Sequence, residues 1–269
     1  TVDGVIQAKY LLSTGLPIDE SKEKGARKSF GEKFKKGFHQ VEFLETAQLE
    51  GVKVRISFED VYVNSEGHAA TIDLTMDDNF KPINTDLLNM NLLIDDIGGN
   101  TTDLAIVRKG KIDNDFSDGV PLGIGKTLDE IINKVNSRFR YQFKTRRELV
   151  ENIISDVDPY IIRPQGSPIS IKEIVDKELQ DFAILEYKQL EQVWSKVGNL
   201  NRIYCVGGTS FLIKDFLMEI NKKAQYPIHF MKNAESSIWM IARAYFKILV
   251  MKAKKAGYSD KDLNLKKTA

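Results

Sequence analysis

The sequence predicts an α/β fold, because short apolar runs of strand length alternate with longer amphipathic segments of helix length. The apolar runs at residues 92–94, 103–107 and 203–206 are typical of buried strands. Residues 121–135 and 172–194 instead carry apolar side chains at the spacing of one helical face. Alternation of these two kinds of segment is the pattern of an α/β protein.

The remaining elements follow from similar local signals. Pro164 and Pro168 make residues 160–171 an edge strand or a loop. Arg243 and Lys247 interrupt the apolar residues of the last predicted helix, as in a packed amphipathic helix. Further strands are predicted at residues 9–12, 40–44 and 52–58, and further helices at residues 22–36, 144–155 (with Thr145 as N-cap) and 238–251.

The bend between the strands at residues 92–94 and 103–107 combines a carboxylate, two glycines and two hydroxyls. Gly98 and Gly99 let backbone N–H groups approach an anion, and successive N–H groups of this kind bind phosphate oxygens. Asp96, at the end of the first strand, is placed to hold Mg²⁺ through its water molecules. The alternative is a tight hairpin whose Asp and Asn residues only stabilise the turn.

A second glycine pair, Gly207 and Gly208, lies between a predicted strand and an apolar helix. This arrangement suits a flat ligand that lies against bare backbone, although many α/β turns carry glycines for packing alone. The passage that contains Gly123 and Gly125 leads into a helix in the same way. It either contacts the ribose or phosphates of a nucleotide or is an ordinary helix start.

Together, the two glycine turns resemble those of the actin, Hsp70 and sugar-kinase ATPase superfamily. DIGGNTTD at residues 96–103 resembles its second phosphate loop, and VGGTS at residues 206–210 resembles its adenosine loop. STGLPIDES at residues 13–21 resembles the TGLP segment of bacterial actin-like plasmid segregation proteins, the ParM and Alp group. The resemblance runs from residue 5 to about residue 250, and the order of its short motifs carries most of it.

The resemblance implies an actin-like ATPase fold, with ribonuclease H-like lobes around a nucleotide cleft. Residues 1–90 are then the remainder of the first lobe, and residues 91–269 are the second lobe. The second lobe is expected to include a small helical subdomain at about residues 127–200 and a C-terminal helix that returns toward the first lobe. Residues 1–10 lack the Asp-x-Gly hairpin that opens the superfamily fold, so we expect an N-terminally incomplete chain rather than a divergent one.

The resemblance also implies roles for individual residues. Gly98, Gly99 and Asn100 are expected to cradle phosphate oxygens with backbone N–H groups. Thr101 or Thr102 is expected to add a hydroxyl donor.

Other roles concern the adenosine, the metal and the attacking water. Asp96 is expected to orient hydrated Mg²⁺. Glu20 is expected to polarise the water that attacks the terminal phosphate, with Asp19 as the alternative. The predicted adenosine contacts are Gly207, Gly208 and Thr209.

The implied function is polymerisation into filaments that move plasmid DNA apart, with hydrolysis of ATP or GTP controlling filament stability. The expected partners are further copies of the chain and a small DNA-binding adaptor at a centromere-like site. Neither sequence-specific DNA binding nor a membrane is expected, and the expected location is the bacterial cytoplasm. A small-molecule kinase and a non-polymerising scaffold or chaperone-like ATPase of the same superfamily remain alternatives, because they share both turns.

Composition limits the other classes of function. The 269 residues, 42% of them hydrophobic, supply a core, and the formal charge of +1 offers no bulk field to recruit nucleic acid or anionic lipid. The single cysteine, Cys205, excludes an internal disulfide and is expected to be a buried, non-catalytic side chain. The three histidines are far apart, which argues against a zinc site.

Two basic segments bear on partners. Residues 22–36 form either a solvated face or a filament contact with an acidic neighbour. Residues 252–269 are expected to be a frayed helix end followed by a mobile tail.

Overall fold

The computed structural model describes residues 5–265, which form two compact units. The first unit joins the described residues up to Thr85 to those from Ile241 onward, and the second unit is Asp86–Met240. The lobe boundary expected at residue 90 stays a prediction. Residues 1–4 of the N-terminal segment and residues 266–269 of the predicted tail lie outside the described residues.

The N-terminal part of the first unit is a small sheet with short helices. Its elements are β1 (Ile6–Leu16), α1 (Ile18–Lys22), α2 (Ala26–Lys35), β2 (His39–Glu42), β3 (Lys53–Ser65) and α3 (Ala70–Thr75). A 3₁₀ helix (Thr85–Asn89) begins at the last residue of this part and continues into the second unit. The strand order is β1-β3-β2. β1 runs parallel to β3, and β2 runs antiparallel to it.

The helix predicted at residues 22–36 begins only at Ala26, as α2, while Lys22 is the last residue of α1. Gly25 precedes α2 with φ of 85°, a left-handed conformation that favours glycine and separates the two helices. α2 packs on β3, with Gly31 lying against Val61 and Val63. β3 itself continues past the predicted end at residue 58 to Ser65.

The second unit is a larger sheet packed against helices. Its elements are β4 (Asn91–Ile97), β5 (Thr102–Arg108), β6 (Lys111–Ile112), β7 (Asp118–Val120), α4 (Gly125–Phe139), α5 (Arg146–Ile153), β8 (Ile161–Ile162), β9 (Ile169–Ser170), α6 (Lys172–Val197), β10 (Arg202–Val206), α7 (Ser210–Asn221), β11 (Ile228–Phe230) and α8 (Ala234–Ile238). The sheet order is β11-β10-β4-β5-β6, and β7 also pairs with β5. β11, β10 and β4 run parallel, whereas β5 runs antiparallel to β4.

The core of the second unit lies between this sheet and helices α4, α6 and α7. Leu93 and Ile203 of the sheet are fully buried in one cluster with Ile131 of α4 and Leu179 of α6. Burying each such side chain stabilises a fold by about 1.5–3 kcal/mol, so this packing holds the sheet and the helices together. α5 begins as the sequence predicts, because Thr145 Oγ1 accepts a hydrogen bond from the N–H of Glu148.

The helix predicted at residues 238–251 is interrupted at Trp239, and its longer part is α9 (Met240–Lys255). Lys247 of α9 is buried rather than placed on a polar face. Its Nζ lies 2.6 Å from Oδ1 of Asp73 and donates to the carbonyl oxygen of Met76 at 2.7 Å. Arg243 Nη2 donates to Oδ2 of Asp73 at 2.7 Å, so one buried carboxylate holds two cations of α9.

Within residues 5–265, no helix combines the length and the apolar character that a membrane crossing requires.

We predict that Lys247→Ala lowers the free energy of unfolding by about 2–4 kcal/mol, because Asp73 stays buried with one of its two cationic partners removed. Urea denaturation measures this change. Lys255→Ala, at an exposed lysine of the same helix, is the control and should change stability by less than about 0.5 kcal/mol. Equal effects of the two substitutions would contradict the buried role of Lys247.

Candidate functional site

The predicted phosphate hairpin is present between β4 and β5. β4 ends at Ile97 and β5 begins at Thr102, and the N–H of Gly98 donates to the carbonyl oxygen of Thr101 at 2.9 Å. Gly99, Asn100 and Thr101 are exposed at the tip. The hairpin therefore presents an exposed turn at the end of a buried pair of strands.

The hairpin is docked onto the start of α4. The N–H of Ile124 donates to the carbonyl oxygen of Gly98 at 3.2 Å, and that of Gly125 donates to Gly99 at 2.8 Å. A Cβ on Gly123 would lie 2.3 Å from the carbonyl carbon of Asn100, and one on Gly125 would lie 2.5 Å from the Gly99 oxygen. These two glycines allow close packing against the hairpin, a role that the sequence did not reveal.

The second glycine turn joins β10 to α7. Gly207 has φ of 91°, and its carbonyl oxygen accepts hydrogen bonds from Ser237 Oγ at 2.7 Å and Ser210 Oγ at 3.1 Å. Gly208 and Thr209 are partly exposed between Gly207 and the first turn of α7. Two buried hydroxyls thus fix this turn from behind.

The two glycine turns lie side by side at the carboxyl ends of parallel strands. β10 pairs with β4 so that Val206 is opposite Asp96. A Cβ on Gly207 would lie 2.4 Å from the carbonyl oxygen of Ile97 and 2.9 Å from Oδ1 of Asp96, an approach that only glycine permits. Ligands of open α/β sheets bind beyond the carboxyl ends of the strands, so the turns form one candidate site.

Two groups that were expected to bind phosphate, one backbone N–H and one hydroxyl, form hydrogen bonds within the protein instead. The N–H of Gly98 closes the hairpin. Thr102 is fully buried, and its hydroxyl donates to the carbonyl oxygen of Leu122 at 2.6 Å. Of Thr101 and Thr102, the two candidates for the hydroxyl donor to phosphate, only Thr101 is exposed.

A cavity of about 530 Å³ adjoins the hairpin. Its wall includes Gly99 and Asn100 of the hairpin, Lys126 at the start of α4, Arg146 of α5 and Phe182 of α6. This volume lies in the range that small-molecule sites occupy, roughly 300–1,000 Å³. Next to the exposed backbone, the cavity therefore carries two cations, Lys126 and Arg146, and four carboxylates, Asp129, Glu130, Glu178 and Asp181.

One cation of this cavity is held in place by a salt bridge. Arg146 donates to both carboxylate oxygens of Asp129, from Nε at 2.7 Å and from Nη2 at 2.6 Å. Its Nη1 lies 3.9 Å from the position that a Cβ on Gly99 would take. The guanidinium thus stands directly beside the hairpin.

A complete protein cage for a metal ion is not present in the described part of the chain, where no three His, Cys, Asp or Glu side chains converge suitably. Asp96 is a partly buried carboxylate between the two glycine turns, directly opposite the buried Asp103 of β5. Mg²⁺ beside phosphates is commonly held by one or two carboxylates, the phosphates and several waters. Asp96 fits that arrangement.

Behind the hairpin lies a pair of buried carboxyl groups that the sequence reading missed. Asp95 and Glu186 are both fully buried. Burial raises the pKa of the Asp95 carboxyl to about 6, and the neighbouring Cys205 thiol and Glu186 carboxyl oppose part of that rise. Burial, and then the charge of Asp95, raise the pKa of Glu186 well above its ordinary value. The available signal was the pair Asp95 and Asp96 in one strand. Side chains alternate between the two faces of a sheet, so one of the two carboxylates points inward.

Cys205 is buried as expected. Burial, followed by the nearby charge of Asp95, raises the pKa of its thiol well above the ordinary value. A thiol that stays protonated is a poor nucleophile.

The candidate water-polarising residues lie in the first unit, on α1. Glu20 and Asp19 are both exposed, and Asp19 forms a salt bridge with Lys22 at 3.4 Å. The segment around them is anchored to the end of β3. Ser21 Oγ donates to Ser65 Oγ at 3.0 Å, and Asn64 Nδ2 donates to the carbonyl oxygen of Thr14 at 3.0 Å.

The architecture is that of an actin-like ATPase fold, as solved structures of similar shape demonstrate. ParM from Bacillus thuringiensis with ATP is 24% identical, with a TM-score of 0.71 over 93% of this chain and 69% of that one. The actin-like protein Alp7A is 17% identical, with a TM-score of 0.73 over 95% of this chain and 71% of that one. Ta0583, an archaeal actin homolog, is 15% identical, with a TM-score of 0.66 over 93% and 71%. The fold class predicted from the sequence is confirmed.

The sequence itself identifies the family. Residues 91–233, more than half of the chain, match the Alp7A C-terminal domain. The chain therefore belongs to the Alp7A-like family, and the predicted membership of the ParM and Alp group is confirmed. A comparison with curated proteins found no match.

We predict that Gly207→Ala lowers the free energy of unfolding by about 2–4 kcal/mol, because a Cβ there meets the Ile97 carbonyl oxygen at a backbone conformation unfavourable to alanine. Gly208→Ala is the matched control, since its Cβ would meet only Ile238 at 3.5 Å. It should cost less than about 0.5 kcal/mol. Urea denaturation distinguishes the two. Comparable losses would mean that the two turns are not in close contact.

Proposed function

We propose that the chain is part of an actin-like ATPase that binds ATP or GTP with Mg²⁺ and polymerises into filaments that segregate plasmid DNA. The observation that carries the proposal is the contact between the two glycine turns, at residues 98–99 and 207–208. Relatives support it, because ParM from Bacillus thuringiensis has been solved with ATP, with ADP and with AMPPNP.

The hairpin tip binds the phosphates in this proposal. Backbone N–H groups of Gly99 and Asn100 donate to phosphate oxygens, and the exposed hydroxyl of Thr101 adds a donor. Gly98 contributes by forming the tight turn rather than by donating its N–H. Lys126 adds positive charge from the adjoining cavity. Binding by fixed amides costs little reorganisation when charge develops on the phosphates.

Asp96 and Glu20 carry the chemistry. Mg²⁺, when bound with the nucleotide, neutralises charge on the phosphates. Asp96 orients it through water molecules. Glu20 polarises the attacking water, with Asp19 as the alternative. Positioning and charge stabilisation supply most of the rate in phosphoryl transfer, so these few groups suffice.

The second turn carries the adenosine. Gly207 and Gly208 present bare backbone to a flat ring system, and Thr209 borders it. The fixed position of this turn, held by Ser210 and Ser237, pre-organises the site and reduces the entropy lost on binding.

The proposed partners follow from the family and from the charge of the chain. Further copies of the chain form the filament. A small DNA-binding adaptor at a centromere-like site links it to the plasmid in the bacterial cytoplasm. The formal charge of +1 is consistent with indirect rather than sequence-specific contact to DNA.

We predict that the full-length protein that contains this chain sediments in the presence of ATP and Mg²⁺ and stays in the supernatant without nucleotide. Mass action requires a critical concentration, below which no pellet forms. GTP in place of ATP tests nucleotide preference. ATP-dependent phosphate transfer to a sugar without a pellet would support a kinase instead, and nucleotide hydrolysis without either would support a scaffold or chaperone-like ATPase.

We predict that Glu20→Ala preserves sedimentation with ATP but slows phosphate release by about 100-fold, because water activation of this kind contributes about 10²–10⁴ in rate. Asp19→Ala is the matched control on the same turn and should change the rate less than about threefold. Phosphate release is measured in a coupled assay on the polymerised protein. An unchanged rate in Glu20→Ala would remove Glu20 from the mechanism, and a slow rate in Asp19→Ala alone would assign the role to Asp19.

A further inference from the structure

The buried carboxyl groups of Asp95 and Glu186 take no part in the proposed chemistry. Among the described residues, both oxygens of Asp95 and Oε1 of Glu186 lack a hydrogen bond of ordinary geometry. The Cys205 thiol and the Glu186 carboxyl nevertheless lie close enough to Asp95 to oppose part of its pKa rise. Buried polar atoms without partners cost stability. Carboxyls in such surroundings concentrate at functional sites, where a cost in stability is tolerated. The location of the two carboxyl groups therefore indicates a role other than stabilising the fold.

Both groups lie directly behind the phosphate hairpin. Asp95 precedes Asp96 in β4 and is opposite Leu104 of β5 and Cys205 of β10. Glu186 reaches this place from the middle of α6. Successive residues of a strand point to opposite faces of the sheet. The side chain of Asp95 therefore lies on the face opposite to that of Asp96.

Glu186 also contacts the second strand of the hairpin. Thr102, the first residue of β5, has a hydroxyl 3.4 Å from Oε2 of Glu186 and 2.6 Å from the carbonyl oxygen of Leu122. This hydroxyl connects β5, the segment before α4 and helix α6. Glu186 thus faces Asp95 on one hairpin strand and Thr102 on the other.

We propose that Glu186 is a positioning residue, which from helix α6 holds the ends of β4 and β5 in the arrangement that exposes the amides of Gly99 and Asn100. α6 also supplies Phe182 and Asp181 to the wall of the adjoining cavity. The same helix therefore fixes the hairpin and shapes the cavity next to it. The consequence for catalysis rests on the proposed function, whereas the positioning of the hairpin does not.

Hydrogen exchange tests the positioning in nucleotide-free protein. It is followed at the backbone amides that close the hairpin and dock it on α4, those of Gly98, Ile124 and Gly125. In Glu186→Met, these amides should exchange about tenfold faster or more, while the urea midpoint stays unchanged or rises, because an apolar side chain relieves the buried polar cost. Glu186→Gln keeps an oxygen for Thr102 and offers an N–H to Asp95, so exchange should stay within about threefold of the wild type. Glu173→Met is the control, an exposed glutamate at the start of α6, and should change neither quantity.

Two results would overturn the proposal. One is hairpin exchange in Glu186→Met within about threefold of the wild type. The other is a rise spread over the whole chain together with a lower urea midpoint, which marks a merely structural residue. Thr102→Val removes the hydroxyl and keeps the shape, so it serves if Glu186→Met fails to fold. It should raise hairpin exchange as well, and an unchanged hairpin in this variant also overturns the proposal.

Nucleotide measurements separate this inference from the proposed function. If the wild type binds ATP, Glu186→Met should lower kcat for hydrolysis about tenfold and leave the ATP dissociation constant within about threefold, because misplaced amides affect the transition state most. If the wild type binds no ATP, the proposed function fails. The exchange experiment still decides whether Glu186 positions the hairpin.

Discussion

The parallel pairing of β4 with β10, closed by the packing of Gly207 on the backbone of Ile97, determines the rest of the candidate site. It joins two turns that are more than 100 residues apart in the chain and sets them next to Asp96. Each turn alone is a common feature of α/β proteins. Their contact is what gives a phosphate-binding hairpin and a bare backbone surface a shared edge of the sheet, where strand ends commonly bind ligands.

Local signals were enough to predict much of this arrangement. The hairpin after β4, the strand before Gly207 and the cap at Thr145 all follow from residues within a few positions of one another. Such features depend on periodicity, glycine conformation and side-chain hydrogen bonding to nearby backbone. The order of the motifs then indicated the actin-like fold, which the structures of ParM and Alp7A confirm.

Features that depend on distant partners could not be predicted in this way. Thr102 looked available as a hydroxyl donor, but Leu122 takes its hydrogen bond. Gly123 looked like part of a helix start or a ligand contact, and the hairpin that packs on it lies earlier in the chain. Lys247 was recognised only as an interruption of an apolar helix, because its partner Asp73 is 174 residues away. A single sequence reports none of these pairings.

The last of these pairings also affects the order in which the two units can complete their folding during synthesis. Asp73 is made early, whereas Lys247 and Arg243 leave the ribosome only after the whole second unit has emerged. The first unit is thus discontinuous, and its N-terminal part waits for its buried counter-charges while the continuous second unit folds as domains do during translation. During synthesis, the described residues up to Thr85 are therefore open to chaperones and proteases for longer than the second unit is.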